Sequence, residues 1–335
     1  MDQLSAHLDR AWDLVGRGDL TGALRSAEQS LEIDAQAPEV HNLMGYICAQ
    51  EGRADEALEH YERALELDES FVEAMLNAAE VKLHPRQDWD GAITLVDEAL
   101  GWIDDPEETA DAILLKIDAM IGKGDRDSAT ATLRTLPDGP FESPSIMLSI
   151  GRARLELGDA AGAEPWLRQV IEKEPRSADA HYFLGVCLQE RRDTRGAALA
   201  FLCSRDAELR SSRPAQLPQD DFERRVRDAT AALPAHASRV VEGALVVVAE
   251  LPGAEVVAEG VDPRVPILLD DVSPDGESPR AGRVFVYQRN VERAAGAEEV
   301  VGWLCRNLVE EIEHVFPELA KRPSRAPMAQ GTSSQ

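Results

Sequence analysis

The chain has 335 residues, 44% of them hydrophobic, 29% charged and 5% aromatic, which is length enough for a sizeable core and more than one domain. Its 62 acidic residues against 35 basic ones leave a formal net charge of −27. A field of that sign repels phosphate backbones and anionic lipid surfaces, so nucleic acid and membrane are excluded as expected partners, and basic or apolar protein segments are favoured.

From the N-terminus the sequence repeats itself. Gly18-Asp19-Leu20-x-x-Ala23-Leu24 returns as Gly52-Arg53-Ala54-x-x-Ala57-Leu58, and Leu31-Glu32-Ile33-Asp34 returns as Leu65-Glu66-Leu67-Asp68, both 34 residues on. Later, Gly158-Asp159-Ala160-x-x-Ala163 is followed by the weaker Asp193-Thr194-Arg195-x-Ala197. Anchoring on the alanine of each second helix gives Ala23, Ala57, Ala92, Ala129, Ala163 and Ala197. The longer second and third intervals coincide with insertions at His84-Pro85-Arg86 and Asp104-Asp105-Pro106. Before each anchor, the first helix carries Ala11, Gly45, Ala79, Ile117, Gly151 and Gly185. Small residues at both places let two helices approach closely, and Ile117 marks a divergent fourth unit. A period of this length predicts a helix pair per unit, with stacked neighbours completing a continuous core.

The pattern resembles the tetratricopeptide repeat family, as in His181-Tyr182-Phe183-Leu184-Gly185 followed by Ala197 and Phe201, with Pro175 closing the fifth unit. The resemblance covers residues 1–208 in about six units. It implies a solenoid whose first helices line a concave groove. The groove-facing residues that follow are Trp12, Glu39, Asn42, Tyr46, Glu73, Leu76 and Glu80 in the first half, then Asp111, Leu114, Asp118, Arg152, Glu156, Asp179, Tyr182 and Glu190 in the second. This lining is acidic with aromatic contacts, and suits an extended or helical partner segment that is basic or apolar. Leu8, Asn42, Leu76, Leu114, Leu148 and Tyr182 stand where some family members place carboxylate-gripping cations, which argues against an acidic-tail ligand. His7, His41 and His181 share one repeat position and read as packing residues, since stacked units keep them apart.

After Cys203 the periodicity stops. A linker is expected at 209–218, within which Ser211 to Pro218 is polar and proline-bearing. A small α+β domain is expected at 219–320. Its elements are a helix capped by Asp220 and ending near Leu233, strands at Ala244–Ala249, Ile267–Leu269 and Arg283–Tyr287, a flexible acidic loop from Asp270 to Pro279, and a closing helix from about Ala297 to Phe316. Residues 321–335 read as a disordered tail.

The closing helix contains Glu310-Glu311-Ile312-Glu313-His314. With Val247 to Pro252, Glu259 to Pro263 and Val286 to Arg293, it resembles the minimal zincin-like metallopeptidase family, whose last helix bears H-E-x-x-H. In such a site two histidines four apart share zinc and the intervening glutamate activates water. The resemblance places Glu311 at the general base and Glu310 and His314 at metal-ligand positions, with Glu310 replacing a histidine. Pro317 replaces the expected glycine, Ala320 occupies the third-ligand position, and Glu318 is a substitute ligand within reach. Catalytic zinc takes three protein ligands, so the pattern implies an inactive module without cofactor. A zinc-dependent peptidase whose repeats recruit substrate is the alternative. Leu304, Leu308, Ile312, Val315 and Leu319 form the apolar stripe of the same helix.

Cys48, Cys187, Cys203 and Cys305 contain no C-x-x-C pair and read as buried reduced thiols. Met1 to Leu14 lacks a leader pattern, and the longest apolar run, Ala244 to Ala249, is too short to span a bilayer. The expectation is a mainly α protein, an α–α superhelical solenoid followed by a small α+β domain, acting in the cytoplasm as an interaction scaffold.

Overall fold

A computed structural model describes residues 3–211, 215–273, 279–296 and 299–320, and it is mainly helical. The chain divides into two compact units, Met1–Pro175 and Arg176–Gln335.

The first unit is built of helix pairs: α1 (Gln3–Gly16) with α2 (Leu20–Ile33), α3 (Pro38–Gln50) with α4 (Ala54–Leu67), α5 (Val72–Leu83) with α6 (Trp89–Ala99), α7 (Pro106–Lys123) with α8 (Arg126–Leu133), and α9 (Pro144–Glu156) with α10 (Ala160–Lys173). The repeated Gly-Asp explains how each pair turns. Gly18 and Gly158 adopt left-handed backbone (φ 77° and 85°), a conformation open to glycine at little steric cost. The aspartate that follows caps the second helix. Asp19, Asp88, Asp125 and Asp159 each accept a hydrogen bond from the backbone N–H three residues on, which satisfies an otherwise orphaned donor.

The anchor alanines are the pair interface. Ala23, Ala57, Ala92, Ala129 and Ala163 are all 0% exposed. Opposite them, Gly45 lies against the Tyr61 ring and Gly151 against Leu167, close enough that any Cβ would collide. Ile117 is as buried as the small residues it replaces. The first helices also touch in series, α1 with α3, α3 with α5, α5 with α7 and α7 with α9, and so form one continuous layer. His41, nearly buried, places its Nε2 3.3 Å from the Ala35 carbonyl oxygen, in keeping with a packing role.

In the second unit the sixth pair, α11 (Ala178–Glu190) and α12 (Thr194–Arg210), is followed by α13 (Gln219–Ala231) and α14 (Ala235–Val240). Then come β1 (Leu245–Ala249), α15 (Ala254–Ala258), β2 (Ile267–Ser273), β3 (Arg280–Tyr287), α16 (Gln288–Ala295), α17 (Val300–Val315) and α18 (Pro317–Ala320). The sheet order is β1-β3-β2. Strand β1 runs parallel to β3, with Val247 opposite Phe285, and β2 runs antiparallel to it, with Leu268 opposite Phe285. Val284 and Val286 of β3 share a core with Phe222 and Val226 of α13 and with Leu304, Leu308 and Ile312 of α17. The apolar stripe read from the last helix is therefore its buried face.

Several expectations change. The sixth pair groups with the C-terminal elements, because α12 packs on α15 and charged side chains of α11 and α12 are paired with that region. Helix α13 is capped at Pro218, and Asp220 lies in its first turn. Asp270 to Ser273 extend β2, because Asp270 pairs with Arg283 across the ladder; 274–278 lie outside the described residues. In the expected linker, Leu209 and Arg210 are helical, and Gln216 and Leu217 donate backbone hydrogen bonds to the nearly buried Glu292; 212–214 lie outside the described residues. The expected tail, 321–335, is outside them as well. Cys48 and Cys187 are buried, but Cys203 is exposed and Cys305 half-buried.

Candidate functional site

In the first unit most of the residues read as groove-facing lie on the first helices of the pairs. Trp12 of α1 and Tyr46 of α3 meet with ring centroids 5.2 Å apart and planes tilted by 57°, a geometry aromatic pairs favour. Trp12 remains 36% exposed, so this pair is an apolar surface open to a ligand. Glu73 and Glu80 are exposed on α5. Asn42 differs from expectation. It is 1% exposed, and its Oδ1 accepts a 3.0 Å hydrogen bond from Asn77, so it ties α3 to α5 beneath the surface.

Helices α5, α7 and α9 converge on a cavity of about 190 Å³ lined by Leu76, Glu80, His84, Asp111, Leu114 and Arg152 among others. A neighbouring cavity of about 400 Å³ shares His84, Asp118 and Arg152 and adds Trp89 and Glu156. Arg152 reaches across one repeat to Asp118 at 2.6 Å. Although their surfaces are open, Glu80, Asp111 and Glu156 have enough protein around them for burial to raise each carboxyl above the usual range. Asp111 raises Glu80 further, while His84 acts in the opposite sense. His84 escaped the sequence reading, and the insertion at His84-Pro85-Arg86 was the sign available.

In the second unit Tyr182 is half-buried and already engaged. Its hydroxyl donates a 3.1 Å hydrogen bond to Asp262, and the guanidinium of Arg264 lies 4.0 Å above its ring. Burial, then Asp262, pushes the Tyr182 phenol up to about 12. Glu190, at the end of α11, is exposed. Asp262 and Arg264 had no signal in the repeat pattern, since they lie 80 or more residues from Asp179 and Tyr182 of α11.

On α17, Glu310 and His314 are exposed, and Glu311 is half-buried, with burial raising its carboxyl and His314 opposing the shift. Glu313, between them, pairs with His236 of α14 at 3.3 Å. Among the described residues no three His, Cys, Asp or Glu side chains gather as a metal-ligand set. The side chains of Glu318 and Ala320, named for the third ligand, lie outside that description. These residues do not fit the three-ligand requirement of catalytic zinc.

Comparison with known families matches the tetratricopeptide repeat at residues 4–29, 38–71 and 148–203. The chain carries tetratricopeptide repeats. Solved structures agree on the fold. A structure from a functional characterisation of Pseudomonas aeruginosa PilF is 16% identical with a TM-score of 0.53, covering 62% of this chain and 93% of that one. PilW, described as a widely conserved type IV pilus biogenesis factor, is 16% identical with a TM-score of 0.54, covering 62% of this chain and 95% of its own. A search of curated proteins finds no match. Among the described residues no helix is long and apolar enough to cross a membrane.

Proposed function

We propose that this protein is an interaction scaffold whose first unit grips a basic or apolar partner segment along the layer of first helices in its repeats. Stacked helix pairs of this kind present extended surfaces to protein partners, and the observation that carries the reading is the lining of this one. Trp12 and Tyr46 offer an aromatic platform at one end. Glu73, Glu80, Asp111, Asp118 and Glu156 follow it with carboxylates, over cavities deep enough to take a side chain. Asn42 holds this surface together from behind, and Tyr182 and Glu190 belong to the second unit's continuation of the pattern. The net charge of −27 draws basic segments and repels nucleic acid and anionic membranes.

The C-terminal sheet domain enters this reading as a non-hydrolytic module of zincin-like ancestry, and peptide hydrolysis through Glu311 forms no part of it. Buried thiols at Cys48 and Cys187 suit a reducing compartment, and the cytoplasm is the one proposed.

The test is affinity capture with the wild-type chain and with Trp12→Ala/Tyr46→Ala. Truncating an aromatic pair that anchors an interface costs about 2 kcal/mol or more, so recovery of the partner falls at least tenfold while helicity is unchanged. Equal recovery would exclude this surface as the binding face.

A further inference from the structure

The second unit contains a site built around one arginine. Asp179 and Tyr182 lie three residues apart on α11 and so share a helix face, and Glu208 of α12 stands beside them. The Arg264 guanidinium sits over the Tyr182 ring, 4.0 Å from its centroid. Its Nη2 donates to Asp179 and lies 3.8 Å from the Glu208 carboxylate. An aromatic face with the Asp179 carboxylate at its rim, and the Glu208 carboxylate shared with Arg293 beyond it, forms a guanidinium receptor that combines cation–π contact with charge-assisted hydrogen bonding.

The occupant arrives on a loop. Arg264 lies in the connection between α15 and β2. From the receptor side, the Tyr182 hydroxyl holds Asp262, whose other oxygen accepts a 2.7 Å bond from the Arg264 backbone N–H. From the sheet side, Asn290 Nδ2 donates to the carbonyls of Pro263 and Val265, each at 2.8 Å.

Two further observations separate this from ordinary interface packing. Asp179 keeps 58% of its side chain exposed, so the receptor opens to solvent on one side. Among the described residues the Arg264 Nε–H is buried without a hydrogen-bond partner, so the resident leaves the site incompletely satisfied. A buried orphan donor is a standing penalty against this occupant, whereas a segment approaching from the open side is free to place its own donors differently.

We infer that the sixth helix pair is an arginine-binding site, occupied in cis by Arg264, and that an arginine-bearing peptide segment binds it in trans by displacing the loop around Asp262–Arg264. The inference is independent of the groove in the first unit, which can fail to bind anything without affecting it.

The test uses the full chain and a synthetic peptide copying residues 259–267, followed by calorimetry and by amide chemical shifts. The wild-type chain is expected to bind the peptide at least tenfold more weakly than Arg264→Ala, whose site is vacant. In that variant the shifts concentrate on α11, and adding Tyr182→Leu abolishes binding. A peptide with lysine in place of its arginine is expected to bind at least tenfold more weakly, because an ammonium lacks the planar face and fork. Equal affinity of wild type and Arg264→Ala, or equal affinity of the two peptides, overturns the inference. So does absent binding by an Arg264→Ala chain with wild-type circular dichroism. If Arg264→Ala does not fold, Arg264→Lys takes its place, and failure of that folded variant to bind above the wild-type level overturns the inference equally.

Discussion

Gly45→Ala is a sensitive probe of how tightly the repeats are paired. In an open helix interior the change stabilises by about 0.5–1 kcal/mol, through lower backbone entropy in the unfolded chain. At Gly45 the new Cβ meets the Tyr61 ring at 2.6 Å from Cε1, 2.7 Å from Cδ1 and 3.0 Å from Cζ. Carbon atoms pack comfortably at about 3.5–4.0 Å, so ring and helix must separate by about 1 Å. Tyr61 is 1% exposed, so its ring has no solvent to move into. Overpacking of that kind costs about 1–3 kcal/mol, and a pinned ring belongs at the upper end. The net expectation is a loss of about 1–2 kcal/mol. Gly16→Ala supplies the opposite sign, since nothing lies within 4 Å of its Cβ and a gain of up to about 1 kcal/mol is expected. Urea unfolding followed by far-ultraviolet circular dichroism measures both, provided the slope with denaturant is unchanged. A Gly45→Ala protein as stable as wild type would refute the close pairing of α3 and α4.

Arg192 sits at φ 64°, in the turn between α11 and α12 where other pairs place glycine. Relief of left-handed strain, about 1–2 kcal/mol, outweighs the added chain entropy of glycine, so Arg192→Gly is expected to stabilise by about 0.5–1 kcal/mol in thermal unfolding; a lower melting temperature would contradict this. For Glu80 the folded carboxyl is raised above its ordinary value, so its contribution is favourable below the ordinary carboxylate range and is lost as pH rises through the raised value. Glu80→Gln is therefore expected to stabilise at pH 7, by less than about 1 kcal/mol because the side chain is exposed, with the advantage fading on acidification towards pH 4. A gap between variant and wild type that widens on acidification would refute that sign.

What the sequence disclosed follows from the range of the physics involved. Pairing within a repeat is local, so Gly-Asp turns, anchor alanines and the glycines opposite them were all readable from spacing. The stripe of Leu304, Leu308 and Ile312 was readable for the same reason. Asp270 and Asp271 looked like loop because both are charged, yet an edge strand tolerates charge on its open side, and Arg283 neutralises Asp270 across the ladder. Asn42 looked like groove because it occupies a groove position; only the facing Asn77 shows why it is buried. Tyr182 carried the right residue type at the right place, but its partners Asp262 and Arg264 arrive from a region with no periodicity to announce them. The grouping of the sixth pair with the sheet was hidden for that reason: its helices obey the repeat, while its outward contacts obey something else.

An array of like units lengthens readily by duplication, since each copy asks nothing of its neighbour beyond a matching face. The pair α11–α12 has given up that licence. A duplicate of it placed among the first five pairs would carry Asp179, Tyr182 and Glu208 without the arginine that now covers them. A further unit inserted after it would separate Glu208 from Arg289 and Arg293, which hold its carbonyl and its carboxylate. A unit added after α12 would thereby break contacts that a unit added between the earlier pairs leaves intact.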